Sequence, residues 1–357
     1  MKVRLAIVDQ DQKYADRLLN YYGNRYSDKL ELSYFTTFDR FKENLLSRNI
    51  DAVLVSEHCK EDLSEIRDKM LVAYFTESLS IDSIHGIKAI CKYQKPDLIY
   101  KEILRLFSEY ETGNIAYKVG DDDKTIVEVF MPVSGGAGAT TLAVTYAKKL
   151  ASKGIRTLYL DLERISSCDY YFQGEGSGGF EDVIYAVKSH KPNLALKLES
   201  LVRQDQSGVY FFAASKNAMD MQELQDAEVS TLVEELQALG NYERIIVDTD
   251  HDLSNRLKNL SVFSYHLYMV AEQSEISMKK LEAVSQTVLM MESNKQIDVS
   301  TKLVIVCNKA REQKQLVYQG QIPIKEFVSF CSSGTSRQVV EQLVKLPVLE
   351  GKRTMIG

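Results

Sequence analysis

The sequence predicts an α/β protein made of two doubly wound parallel-sheet domains in series. Three observations predict it. Short apolar, β-branched runs alternate with helical patterns from the first residues to "DLIYKEILRLFSEY". The alternation stops over "ETGNIAYKVGDDDKT" and resumes at Thr125. The second series opens on a glycine-rich turn, "SGGAGATT", set between a strand and an amphipathic helix. A chain of 357 residues has room for two cores of ordinary size.

In the first series "VRLAIV" reads as a strand, and "DQKYADRLLNYY" has helical spacing at Tyr14, Leu18, Leu19 and Tyr22. The strand "LELSYF", the helix "FDRFKENLLS" and the strand "DAVLVS" follow. "EDLSEIRDKM" leads into the strands "LVAYF" and "IKAICKY", joined by a short helix, and "DLIYKEILRLFSEY" closes the domain. Five strands with crossover helices imply a parallel sheet covered on both faces. The domain is expected over 1–112 and a linker over 113–124, where glycines and the acids Asp121 to Asp123 replace periodicity.

The second domain is expected over 125–357. "TIVEVFMPV" is the strand that feeds the loop, and "TTLAVTYAKKLASKG" is the helix after it, with Gly154 at its end. "IRTLYLDLE", "GVYFFAA", "ERIIVDTD", "YHLYMV" and "TKLVIVCNK" are further strand-like runs. The clearest helices between them are "MQELQDAEVSTLVEELQAL" and "EISMKKLEAVSQTVLMME".

Composition excludes several functions. A net charge of −6 argues against a general nucleic-acid binder, which needs a basic surface to displace counterions. No stretch approaches the roughly 18 uncharged apolar residues of a membrane span, and the start lacks a signal peptide's length and cleavage site. Cys59, Cys91, Cys168, Cys307 and Cys331 form no CxxC pair and no zinc spacing, which suits free thiols in a reducing cytoplasm. A cytoplasmic protein without membrane insertion is expected.

Acids after the first strand (Asp9, Asp11), Thr76 at the end of the fourth, and Lys92 or Lys95 after the fifth resemble a response-regulator receiver. The third strand ends in Ser56, where that family carries the phosphate-accepting aspartate. A serine hydroxyl is not ionised at neutral pH and nothing beside it supplies a base, so aspartyl-type phosphorylation is not expected. The bland alternative is that these acids merely punctuate strand ends.

A strand, a glycine turn and a helix start together make an anion site. Glycines let main-chain N–H groups converge, and the helix terminus favours negative charge. Gly135, Gly136 and Gly138 precede Thr140 and Thr141. Asp161 and Asp248 end later strands, and Asn308 ends "LVIVCN", where its amide can read a purine edge. The alternative is a tight turn without a ligand.

The ordered set resembles the MinD/ParA group, whose deviant Walker loop reads K-G-G-x-G-K-[ST]-[ST]. Over about residues 125 to 350 the loop aligns as Ser134, Gly135, Gly136, Ala137, Gly138, Ala139, Thr140 and Thr141. The resemblance implies ATP or ADP with Mg²⁺. The loop residues Gly135 to Thr141 with Asn308 and Lys309 would hold the nucleotide, and Thr140, Asp161 and Asp248 the metal. The chain departs from the pattern at both lysines, which are Ser134 and Ala139 here. Main-chain donors survive that loss, but the ammonium groups that neutralise a transferring phosphoryl group do not, so hydrolysis is expected to be slow or absent.

A receiver-like domain ahead of such a module resembles the TadZ/CpaE family. The family resemblance implies a homodimeric scaffold at the cell pole that works with the tight-adherence (Flp) pilus secretion machinery. Two other readings remain open at this stage. One is an active ATPase that uses Lys124 or Lys309 in place of the missing lysine. The other is a signalling output protein gated by its receiver.

Overall fold

The computed structural model describes residues 2–45, 49–110, 125–189, 193–253, 255–294, 299, 301–311, 317–331 and 334–349. The expected linker 113–124, with Lys124, lies outside the described residues. The chain divides into two compact units. One is Met1–Lys118 with His190–Leu201, and the other is Val119–Ser189 with Val202–Gly357.

The first unit holds β1 (Val3–Val8), β2 (Leu30–Phe35), β3 (Ala52–Ser56), β4 (Leu71–Thr76), β5 (Ser83–Ile84) and β6 (Ile87–Cys91). The order is β2-β1-β3-β4-β6-β5, parallel except for the antiparallel β5–β6 pair. Central β3 is buried at all five positions, as a strand covered on both faces must be. The short helix expected between the last two strands is absent. The chain instead turns through His85 and Gly86, both at positive φ, and makes the β5–β6 hairpin. That stretch, "ESLSIDSIHG", carries no apolar repeat of helical period, so local turn chemistry wins.

One helix of this unit comes from far along the chain. Leu194–Leu201 packs against Pro96–Glu109 and places Leu196, fully buried, in the core with Leu18, Tyr22, Ile99 and Ile103. Its Glu199 pairs with Lys29 and accepts from Tyr100 Oη at 2.9 Å. Sequence reasoning placed this segment in the second domain, because nothing local in "NLALKLESL" says which core its apolar face will enter. Leu196→Ala should therefore destabilise the first unit by about 2–5 kcal/mol, the cost of an unfilled leucine site. Thermal melting followed by tyrosine fluorescence, which the Tyr22, Tyr26 and Tyr100 cluster supplies, would register the loss.

The second unit holds β7 (Ile126–Pro132), β8 (Thr157–Asp161), β9 (Arg203–Gln204), β10 (Tyr210–Phe211), β11 (Arg244–Asp248), β12 (Ser264–Glu272), β13 (Leu303–Ala310) and β14 (Ile324–Ser329). Their order is β14-β13-β12-β7-β11-β8-β10-β9, with only the β9–β10 pair antiparallel. Central β7 lies between β11 and β12, and its chain leaves toward β8, beyond β11. Adjacent connections thus diverge at its carboxyl end, the crevice in which open α/β sheets bind ligands. "GVYFFAA" forms a strand only over Tyr210 and Phe211. No described helix is long and apolar enough to cross a membrane.

Candidate functional site

Two clusters gather at carboxyl ends of strands, one in each unit. In the first unit Asp9 and Lys92 are buried, and the Lys92 ammonium lies 3.4 Å from Asp9 Oδ2 and 2.9 Å from Glu77 Oε1. Burial pushes this ammonium down, and its pairing with Glu77 and Asp9 outweighs that and holds it above the ordinary lysine value. The same pairing holds Glu77 below the usual carboxylate range. Lys92, not Lys95, is thus the lysine at this site; Lys95 precedes the first turn of Pro96–Glu109. Asp9 Oδ1 accepts from the Asp11 main-chain N–H at 2.9 Å, while Asp11 caps the first helix through the Tyr14 N–H at 3.0 Å. Asp11 is thereby spent on helix start rather than turned toward Asp9. A cavity of about 380 Å³ opens here, lined by Asp9, Asp11, Ser56, His58, Glu77 and Lys92. Ser56 is buried at its floor and accepts from the His58 N–H at 3.4 Å, and buried Thr76 donates to Ile90 O at 3.4 Å.

The second cluster surrounds the glycine loop. β7 delivers the chain through Val133 and Ser134, and the helix Ala139–Ser152 begins directly after Gly138. Gly138 has φ of 90°, a left-handed conformation that side chains rarely adopt. A Cβ there would also collide with the Asn308 amide nitrogen. Gly138→Ala is therefore expected to cost about 1–3 kcal/mol of backbone strain and to push Asn308 off the loop. A lowered melting temperature of the variant would register the strain.

Asn308 and Lys309 close the loop from above. The register between β13 and β14 slips between Cys307 and Ala310, and such irregularities re-aim side chains. Asn308 Nδ2 donates to Ala137 O at 2.9 Å, and Lys309 Nζ donates to Gly136 O at 2.5 Å and pairs with Glu272 Oε2 at 3.2 Å. Ser134 is hydrogen-bonded to the Ser277 hydroxyl at 3.2 Å. Buried Ala139 begins the helix, and Thr141 is half-buried in its first turn.

Four carboxylates face the helix start. Asp248 and Asp161 are register partners at the ends of β11 and β8. Thr140 Oγ1 donates to Glu163 Oε1 at 3.0 Å, Asp161 accepts from the Glu163 N–H and the Ser166 hydroxyl, and Asp250 accepts from the Arg164 N–H at 2.7 Å. Fully buried Asp248 accepts from Tyr159 Oη at 2.7 Å through Oδ2, whereas its Oδ1 has no hydrogen-bond partner. Burial, then the charges of Glu163 and Asp161, push Asp248 well above the usual carboxylate range. Burial likewise pushes Asp161 up to about 6, and burial with the Asp161 charge pushes Glu163 up to about 7.

An orphaned buried oxygen among crowded acids and a threonine hydroxyl is the donor set of a hard divalent cation. Thr140, Asp161, Asp248 and Glu163 offer oxygen donors of the type that Mg²⁺ takes, although among the described residues it is Glu57, His58 and Glu77 of the first unit whose ligand atoms lie within 4.8 Å of one another. Sequence reasoning missed the roles of Glu163 and Tyr159. The spacing of Asp161 and Glu163 in "DLE" was the available signal for the first. Nothing local marks Tyr159, because its hydroxyl meets Asp248 only when β8 and β11 pair.

Comparison with known proteins adds the following. A family model described as TadZ-like, receiver domain, matches residues 1–108. Among solved structures, the chain is similar to a ParA family ATPase from Chlorobium tepidum TLS, 18% identical, covering 62% of this chain and 89% of that one at a TM-score of 0.49. It is also similar to the septum site-determining protein MinD complexed with Mg-ADP from Pyrococcus horikoshii OT3, 13% identical over 61% of this chain and 85% of that one, TM-score 0.42. The MinC:MinD cell division protein complex of Aquifex aeolicus gives 19% identity over 52% and 69%, TM-score 0.40. Curated protein sequences gave no match. Residues 1–108 match the model of a TadZ-like receiver domain, and a second doubly wound, mostly parallel α/β unit follows it.

Proposed function

We propose that this chain is a nucleotide-binding scaffold that holds ATP or ADP with Mg²⁺ at the Gly135–Thr141 loop and hydrolyses ATP little or not at all. The reading takes the module boundary at 113–124 and places the protein with the tight-adherence pilus machinery at the cell pole. It takes the working form as a homodimer that binds neither nucleic acid nor membrane. The pilus assignment is supported by the match of the first 108 residues to a TadZ-like receiver.

One observation carries the nucleotide reading. The helix start, left-handed Gly138 and the orphaned Asp248 Oδ1 form an anion-and-cation cradle, while the position of the phosphate-holding lysine is Ala139. Main-chain N–H groups and the helix terminus can still hold a polyphosphate. The missing ammonium removes charge stabilisation that acts most strongly in the transition state. In this reading Asn308, packed on Ala137 and Gly138, meets the base by giving up its present bonds to Ala137 O and the Lys309 N–H.

Calorimetric titration of the purified chain with ATP, with and without Mg²⁺, tests the reading. Saturable binding that Mg²⁺ strengthens, with little phosphate release, is expected. No binding under either condition would overturn it, and so would brisk turnover that Asp248→Ala abolishes. In the first unit Ser56 and the Lys92–Glu77 pair support a receiver used as a contact surface rather than a phosphorylation switch. Incubation with acetyl phosphate should leave the mass of the protein unchanged.

A further inference from the structure

Lys309 has no role in an ordinary strand end, yet its backbone is strained to keep it where it is. Its φ is 54°, a left-handed conformation that costs a non-glycine residue about 1 kcal/mol or more. The bulge between β13 and β14 and the bond from the Lys309 N–H to Asn308 Oδ1, at 2.9 Å, hold that conformation. The result carries the ammonium away from the sheet and onto the glycine loop, 2.5 Å from Gly136 O.

The surroundings set a charge problem. A polyphosphate docked on this loop would lie close to Asp161, Glu163, Asp248 and Asp250, on a loop whose own lysine positions are Ser134 and Ala139. Ser134 is neutral and tied to Ser277, and Ala139 offers only a methyl group. Lys309 supplies a cation on the loop itself, and its side chain is 40% exposed with a flexible four-carbon stem. The partner that it would leave, Glu272 Oε2 at 3.2 Å, is a solvent-accessible ion pair of the kind that contributes little.

We propose that Lys309 is the residue that contacts the phosphates of the bound nucleotide in this chain, standing in for the ammonium that Ala139 lacks. This rests on the nucleotide-binding reading above. On binding, the ammonium exchanges Glu272 for a phosphate oxygen and stays over the loop. Because it enters from β13 and not from the helix start, it adds charge to the ground-state complex without the placement that the helix residue would give. Binding is thereby retained while turnover remains slow.

The test uses the full chain with Mg²⁺ and three ligands: ATP, tripolyphosphate, which has no base, and adenosine, which has no phosphate. Lys309→Met keeps the stem and removes the charge. It should weaken ATP and tripolyphosphate about tenfold, leave adenosine unchanged, and be rescued in large part by Lys309→Arg. Glu272→Gln frees the ammonium and should tighten tripolyphosphate several-fold, which keeps the idea testable if Lys309→Met folds poorly. Equal affinity of wild type and Lys309→Met for tripolyphosphate would overturn the proposal, as would a loss seen with adenosine as well. A wild-type chain that binds neither ATP nor tripolyphosphate would instead overturn the nucleotide reading itself.

Discussion

Ala139→Lys is expected to raise phosphate release from ATP by about 100-fold, the scale on which one preorganised charge acts in a transition state. Ala139 is the first residue of its helix, directly after left-handed Gly138, so a side chain there starts at the loop's mouth. Thr140, Asp161 and Asp248 already stand around that point, and the helix start itself needs no change. The stem must leave a buried site, since Ala139 is only 3% exposed, and a modest loss of stability should accompany the gain. Ala139→Met serves as the control, with the same bulk and no charge, and should release phosphate no faster than the wild type. The measurement is steady-state phosphate release by the three proteins. If the lysine variant matched the wild type, the absent ammonium would not be what limits turnover.

The carboxylate cluster leads to the second large effect, a stability that falls as pH rises. An acid whose pKa is higher in the folded than in the unfolded chain binds its proton preferentially in the folded state. Asp161 rises from 3.8 to about 6 and Glu163 from 4.5 to about 7, and Asp248 is raised further by burial and by both neighbours. The contribution of Asp161 and Glu163 is therefore most favourable below the unfolded values and is lost progressively between about pH 4 and 7. Above that range the metal-free protein carries the repulsion between the Asp161 and Glu163 carboxylates. Glu163→Gln removes one charge while keeping an oxygen for Thr140, and should raise the melting temperature of the metal-free protein at about pH 8. The gain should shrink toward about pH 5, where the wild-type cluster is protonated. Mg²⁺ should stabilise the wild type mainly at the higher pH and the variant much less, because a cation relieves repulsion only where charge exists. A variant less stable than the wild type at about pH 8 without Mg²⁺ would contradict this account.

Much of the architecture was legible from residue pattern alone. Alternating apolar runs located β1 to β4 and β6, and β7 with β8, β11, β12 and β13, because strands covered on both faces must be continuously apolar. The turn before Ala139 was legible because glycines followed by a helical repeat leave few other geometries. Matters decided by pairing between distant segments were not. "ESLSIDSIHG" gave a hairpin instead of a helix, and "NLALKLESL" joined the first core although the chain around it belongs to the second unit.

The sequence by itself determined the chemistry on offer: a glycine loop with Ser134 and Ala139 beside its glycines, acids at the ends of two strands, and a serine where a receiver carries aspartate. Those are properties of residue type and local order, and no folding can alter them. Only the tertiary structure decided which groups meet. It chose Lys92 over Lys95, brought Glu163 to Thr140, left one Asp248 oxygen without a donor, and carried the Lys309 ammonium onto Gly136. The physical reason is that hydrogen bonds and ion pairs act over a few ångströms. Between residues 23 to 173 positions apart, as these are, that proximity comes only from strand order and register.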